Sequence, residues 1–131
     1  MCYYGITERE PNQVTNMFSI ARFEFEGNKV RIVTIESETW FVAEDIGSVL
    51  ELETIEILSI LSQDEKQELS YDTVVALRDN PDTVRLAAIS EAAMYCLLAK
   101  SIKARAQVFK RWFVHEIKPT IRDRAIALKL R

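Results

Sequence analysis

The sequence predicts an α+β fold: a small antiparallel sheet built from hairpins, packed with several short helices and carrying a basic amphipathic helix near its C-terminus. Three observations point there. Apolar residues alternate at a period of two in the first third of the chain, around tight turn signals. The period switches to helical spacing at Ala43. Late in the chain, the stretch "VFKRWFVHEIKPTIRDRA", Val108 to Ala125, separates its large apolar residues from its cations when wound as a helix.

Residues 1–16 are polar, with Pro11 and two Asn, and read as a flexible extension ahead of a domain at 17–131. In "FEFEGNKVRIV", Phe23 and Phe25 alternate with Glu24 and Glu26, and Gly27-Asn28 is a two-residue turn signal. Val30, Ile32 and Thr34 then alternate with Arg31, Val33 and Ile35, which makes a β-hairpin. Glu36-Ser37-Glu38 turns the chain into a third strand at Thr39–Ala43. In "EDIGSVLEL", Ile46, Val49 and Leu50 sit at i, i+3 and i+4, with Glu44 and Asp45 in a first turn where negative charge suits the helix dipole. Ile57, Leu58 and Leu61 continue the helical pattern. Val74–Leu77 and Val84–Ile89 flank Asn80-Pro81-Asp82 and read as a second hairpin. Ser90 is a good N-cap for an apolar helix around Met94, Leu97 and Leu98. The expected strands therefore lie in 18–43 and 70–89, and the helices at 44–51, 54–62, 90–100 and 103–117.

On a helical wheel at about 100° per residue, Ile102, Ala106, Val108, Phe109, Trp112, Phe113 and Ile117 share one arc. Lys103, Gln107, Lys110, Arg111 and Lys118 share the opposite one, with Val114 among them. The aromatics are thus expected in the core rather than on a base-stacking platform, with Arg105 and Glu116 as charged intruders in the apolar arc. Trp40, Phe41, Ile46, Leu50, Leu97, Phe109 and Trp112 should be buried. Pro119 lacks the N–H that a helix interior needs, so the helix should end near Ile117 and restart with Ile121, Ala125 and Leu128 on one stripe.

A chain of 131 residues buries roughly two thirds of its unfolded surface and needs no staples. No apolar run reaches the roughly 18 residues that span a membrane, and the first residues lack the pattern of a secretory signal, so a cytoplasmic protein is expected. Cys2 and Cys96 offer no paired or metal-ligand spacing; Cys96 reads as a small core residue, and His115 as a structural or surface one. Phosphate-binding glycine loops, G-x-S-x-G and H-E-x-x-H are absent. No catalytic, cofactor or metal site is expected. Charge is the most informative bulk property. Residues 1–99 carry 7 Lys/Arg against 18 Asp/Glu, a balance of −11, whereas residues 100–131 carry 10 against 2, a balance of +8. Such a split fits a polyanion contact or self-association.

The blocks "FEFEGNKVRIV", "WFVAEDIGSVL" and "ISEAAMYCLLAKSIKARAQVFKRWFVHEIKPTIR" resemble the Bro family N-terminal domain, found in baculovirus Bro proteins and phage antirepressors. The likeness covers residues 18–124. Its most specific part is the last block, where Tyr95, Leu98, Ser101, Lys103, Ala106, Phe109, Trp112, Ile117, Pro119, Ile121 and Arg122 match the family pattern. The resemblance implies a small α+β fold and either binding of double-stranded DNA in transcriptional control or antirepression through a repressor protein. Where family members carry Asn, Lys or His after the position of Leu50, this chain is acidic. The expected DNA contact is therefore Lys103, Lys110, Arg111, Lys118, Arg122 and Arg124, acting on phosphates. The alternative is a protein-interaction module that binds a repressor or self-associates without DNA. In either reading the charge split and the restarted helix favour a homo-oligomer.

Overall fold

The computed structural model describes residues 18–122. The expected extension at 1–16, and Arg124, Ala125 and Leu128, lie outside the described residues. Five antiparallel strands form one sheet in the order β1-β2-β3-β5-β4, with β1 Phe18–Phe25, β2 Asn28–Ile35, β3 Glu38–Val42, β4 Lys66–Glu68 and β5 Ala87–Ser90. The helices are α1 Ala43–Leu50, α2 Thr54–Ser59, α3 Tyr71–Leu77, α4 Glu91–Lys100 and α5 Ala104–Trp112. A 3-10 turn at Gln63–Glu65 leads into β4, and a π-helical segment, Phe113–Ile117, extends α5. The α+β class is as the sequence predicts.

The first hairpin pairs Phe25 with Asn28, so the turn residues are Glu26 and Gly27, one position earlier than the sequence signal. Both have positive φ, 50° and 84°, the pair of left-handed residues that matches the twist of a two-residue hairpin. Glu36 and Ser37 repeat the geometry between β2 and β3.

Strands β3 and β5 are apolar on both faces because the sheet is covered on both. Phe41, Ile32 and Ile89 point to a larger core with α1, α2, α4, α5 and the π segment. Trp40, Val33, Val42 and Ala88 point to a second core closed by Val74 and Leu77. Those last two residues belong to α3, which corrects the expected second hairpin: 71–77 is helix, and of 70–89 only 87–89, the first residues of β5, are strand. Two β-branched Val and a Thr bias this stretch toward strand. The need to cover the second face of the sheet overrides that bias. A local signal was present: the Ser70 hydroxyl accepts the Thr73 N–H at 3.3 Å and caps α3, and Val74 and Leu77 have helical spacing.

A buried ion pair joins the layers. Arg31 of β2 and Asp45 of α1 are 3% and 1% exposed. The Asp45 carboxylate accepts the Arg31 Nε at 2.9 Å, its Nη2 at 2.9 Å and its backbone N–H at 2.8 Å. Arg31 also reaches the Leu77 carbonyl at the end of α3, at 3.3 Å. Burial opposes the guanidinium charge, but the hydrogen bond and the charge of Asp45 outweigh it and hold Arg31 above the usual arginine value. Asp45 is therefore a buried partner as well as a first-turn acid.

Gly47 lets the chain double back after α1. A Cβ there would lie 2.5 Å from the Leu52 carbonyl oxygen, while the Leu52 N–H donates to the Gly47 carbonyl at 2.9 Å. Gly47→Ala is expected to cost about 1–3 kcal/mol, the usual range for overpacking a tight contact, read as a lower urea midpoint.

Candidate nucleic-acid interface

The character of the basic end comes from how α5 is anchored. Ala106, Phe109, Phe113 and Ile117 are buried against the larger core. Phe109 meets Phe25 edge-on at 5.1 Å, and Trp112 lies 5.1 Å from Phe25 and 5.4 Å from Phe109. Phe109 is buried fully and Trp112 partly, so the aromatics do face inward as the wheel requires. Two positions depart from it. Ile102 is 97% exposed because the helix begins only at Ala104, and Val108 lies at the edge of the apolar arc and is exposed. Cys96 is also exposed rather than in the core.

Pro119 does not end the helix. Residues 118–122 remain helical, and the segment before them adopts π geometry. The Lys118 N–H bonds to the Phe113 carbonyl, five residues back. In an α-helix Pro119 would crowd the carbonyl four residues earlier and leave it without a donor. The widened turn takes up that conflict just ahead of the proline. The wider turn also rotates its side chains away from their ideal-wheel positions. Val114, on the basic arc of that wheel, packs partly against the core.

The cations sort into two groups. Lys103, the N-cap of α5, pairs with Glu51 at 2.7 Å and holds that carboxyl below the usual range, chiefly through the hydrogen bond. Arg105 lies 3.4 Å from Glu26 and 3.9 Å from Glu51, which explains its place in the apolar arc. Lys118 pairs with Glu91 at 2.8 Å and sits over the Tyr95 ring at 5.8 Å. Its hydrogen bond to Glu91 raises it above the ordinary lysine value; burial, then the Glu91 charge, raises Tyr95. Among the described residues, Arg22, Lys29, Arg31 and Arg85 also lie against carboxylates, and Lys66 and Arg78 donate to carbonyls. Among the described residues, Lys100, Lys110, Arg111 and Arg122 meet neither kind of partner and are exposed. Every described cation of that kind lies in residues 100–122.

Lys110 and Arg111 share a shallow depression of about 230 Å³ with Gln107, Val114 and His115, straddling the junction of α5 and the π segment. Of the six residues expected at the contact, two, Lys110 and Arg111, are brought together with no acid or carbonyl partner among the described residues, Arg122 is likewise exposed further along, Lys103 and Lys118 are held by acids, and Arg124 lies outside the described residues. Gln107, which the wheel puts on the basic arc, joins the depression, and so does His115, which no sequence signal set apart. The surface offers point charges and a guanidinium fork, with an amide and an imidazole beside them, on a helix whose other side is fixed in the core. That suits anchoring an oxyanion backbone.

Among the described residues, no group of three or more His, Cys, Asp or Glu is placed to hold a metal ion, and no helix is long and apolar enough to cross a membrane. No curated protein and no solved structure matches the chain. The family model described as "BRO family, N-terminal domain" matches residues 29–119, from β2 through the π segment to Pro119. With most of its length inside that match, the chain belongs to the BRO family through its N-terminal domain.

Proposed function

We propose that this domain is a phage- or prophage-type regulatory module of the cytoplasm that binds double-stranded DNA in transcriptional control, with no catalysis of its own. One observation carries the reading: the described cations left without an acid or carbonyl partner all lie in residues 100–122, with Lys110 and Arg111 together on the rigid outer side of α5. Their contacts would be to phosphates, which supply affinity and register but little sequence discrimination. The acidic stretch around α2 would repel the same backbone and keep DNA on the α5 side.

The test is Lys110→Ala with Arg111→Ala, titrated with salt on two unrelated duplexes. Losing two phosphate contacts should flatten the slope of log K against log salt by roughly 2 and weaken both duplexes alike. Stability should move by no more than about half a kcal/mol per surface substitution. Unchanged affinity and slope would remove this face as the DNA contact. The second reading, an antirepressor that binds a repressor protein, is favoured by the exposed apolar side chains around α2 and would then lead.

A further inference from the structure

His115 is exposed, between the buried Phe113 and Ile117. Among the described residues its imidazole makes no hydrogen bond. It lines the depression that holds Lys110 and Arg111. Spacing puts it there: Arg111 and His115 are four residues apart, as are Gln107 and Arg111, and side chains at that interval are neighbours on a helix surface. The segment that carries the imidazole is fixed, because the Phe113 ring packs 5.2 Å from that of Phe41 and 6.2 Å from that of Tyr95.

An imidazole is the side chain whose ordinary charge change falls between about pH 5 and 8, and this chain has one. Neutral, it offers a phosphate one N–H; protonated, it adds a charge and donates from both nitrogens. Among the described residues, no acid lines the depression to meet that charge. Glu116, next in the chain, lies outside it. On α4, Glu91 and Tyr95 are engaged by Lys118. On β1, Glu26 is held by Arg105, and Glu24 points to the opposite face of the sheet from Phe23 and Phe25, whose rings meet α5. Strand β3 meets the segment through the uncharged Phe41. The charged groups beside the imidazole are therefore Lys110 and Arg111, and an imidazolium there calls for an anion from outside.

We infer that His115 is a third phosphate ligand of this face and binds as the imidazolium, so that DNA binding takes up a proton there. This rests on the DNA reading proposed above and adds a proton linkage to it. Because phosphate favours the protonated form, affinity rises as the pH falls through the histidine range.

Salt titration of the full chain on one duplex, at about pH 5.5 and about pH 7.5 on either side of the histidine range, tests it. The parent should bind more tightly at the lower pH. Its slope of log K against log salt should be steeper there by close to the roughly 0.9 of one added phosphate contact. His115→Gln keeps a hydrogen-bonding side chain that cannot charge, so its slope should be the shallow one at both pH values. His115→Lys carries a fixed charge, so its slope should be the steep one at both. Circular dichroism at each pH checks folding, and either variant alone suffices if the other unfolds. A parent with one slope at both pH values, a pH dependence that survives His115→Gln, or a His115→Lys chain whose slope still varies with pH overturns the inference. The DNA reading then stands or falls separately, on whether Lys110→Ala with Arg111→Ala flattens the slope. A parent that binds no duplex at either pH removes both.

Discussion

Asp45→Ala is expected to lose about 3–5 kcal/mol of stability, the range for removing one partner of a buried ion pair. The Arg31 guanidinium stays behind, 3% exposed, with the Leu77 carbonyl at 3.3 Å and the solvent-facing Glu44 at 3.5 Å as hydrogen-bond partners and the charge of Asp79 in reach. The Arg31 backbone N–H also loses its acceptor. Urea unfolding measures the loss, and Glu44→Ala is the control. It removes the same sign of charge from the same guanidinium but from an exposed position, so it should cost less than about 1 kcal/mol. Equal, small losses in the two variants would show that Asp45 acts only as a first-turn acid. Because the pair joins β2, α1 and the end of α3, the variant should also loosen the second core, seen as faster amide exchange in α3.

Phe109→Ala should cost about 3–5 kcal/mol, as large-to-small changes at fully buried aromatics do. Phe109 is 0% exposed and holds α5 to β1 through Phe25, with Trp112 against both rings. The functional consequence separates anchoring from contact. With α5 released, the phosphate binding proposed above should weaken although every cation is still present. Trp112 fluorescence should shift to the red as the ring loses its apolar neighbours. Val108→Ala, on the same helix but exposed, should change stability by no more than about half a kcal/mol and leave binding intact.

Much of the candidate site was legible in the chain. The charge split located the basic end, and the period of Phe109, Phe113 and Ile117 set which side of α5 enters the core, because these patterns depend only on local helix geometry. The partition of the cations was not legible. Lys103 and Lys118 look like Lys110 on a wheel, yet Glu51 and Glu91, far away in sequence, hold them. Nothing local distinguishes a cation that will meet an acid from one that will face solvent.

The fold divides in the same way. Hairpin β1-β2, the third strand, α1 and the Ser90-capped α4 arise from alternation, turn residues and caps, which act over a few neighbours, so the sequence by itself determined them. The helix α3, the burial of Arg31 with Asp45 and the helical passage through Pro119 were decided by the tertiary structure. A sheet with two apolar faces needs a cover on each, which turned a β-branched stretch into a helix. A buried guanidinium needs a carboxylate, which brought α1 onto β2. A helix held on both sides of Pro119 by Phe113, Ile117 and Ile121 in the larger core widens by a residue instead of breaking, because leaving that core would expose more apolar surface than a π turn costs.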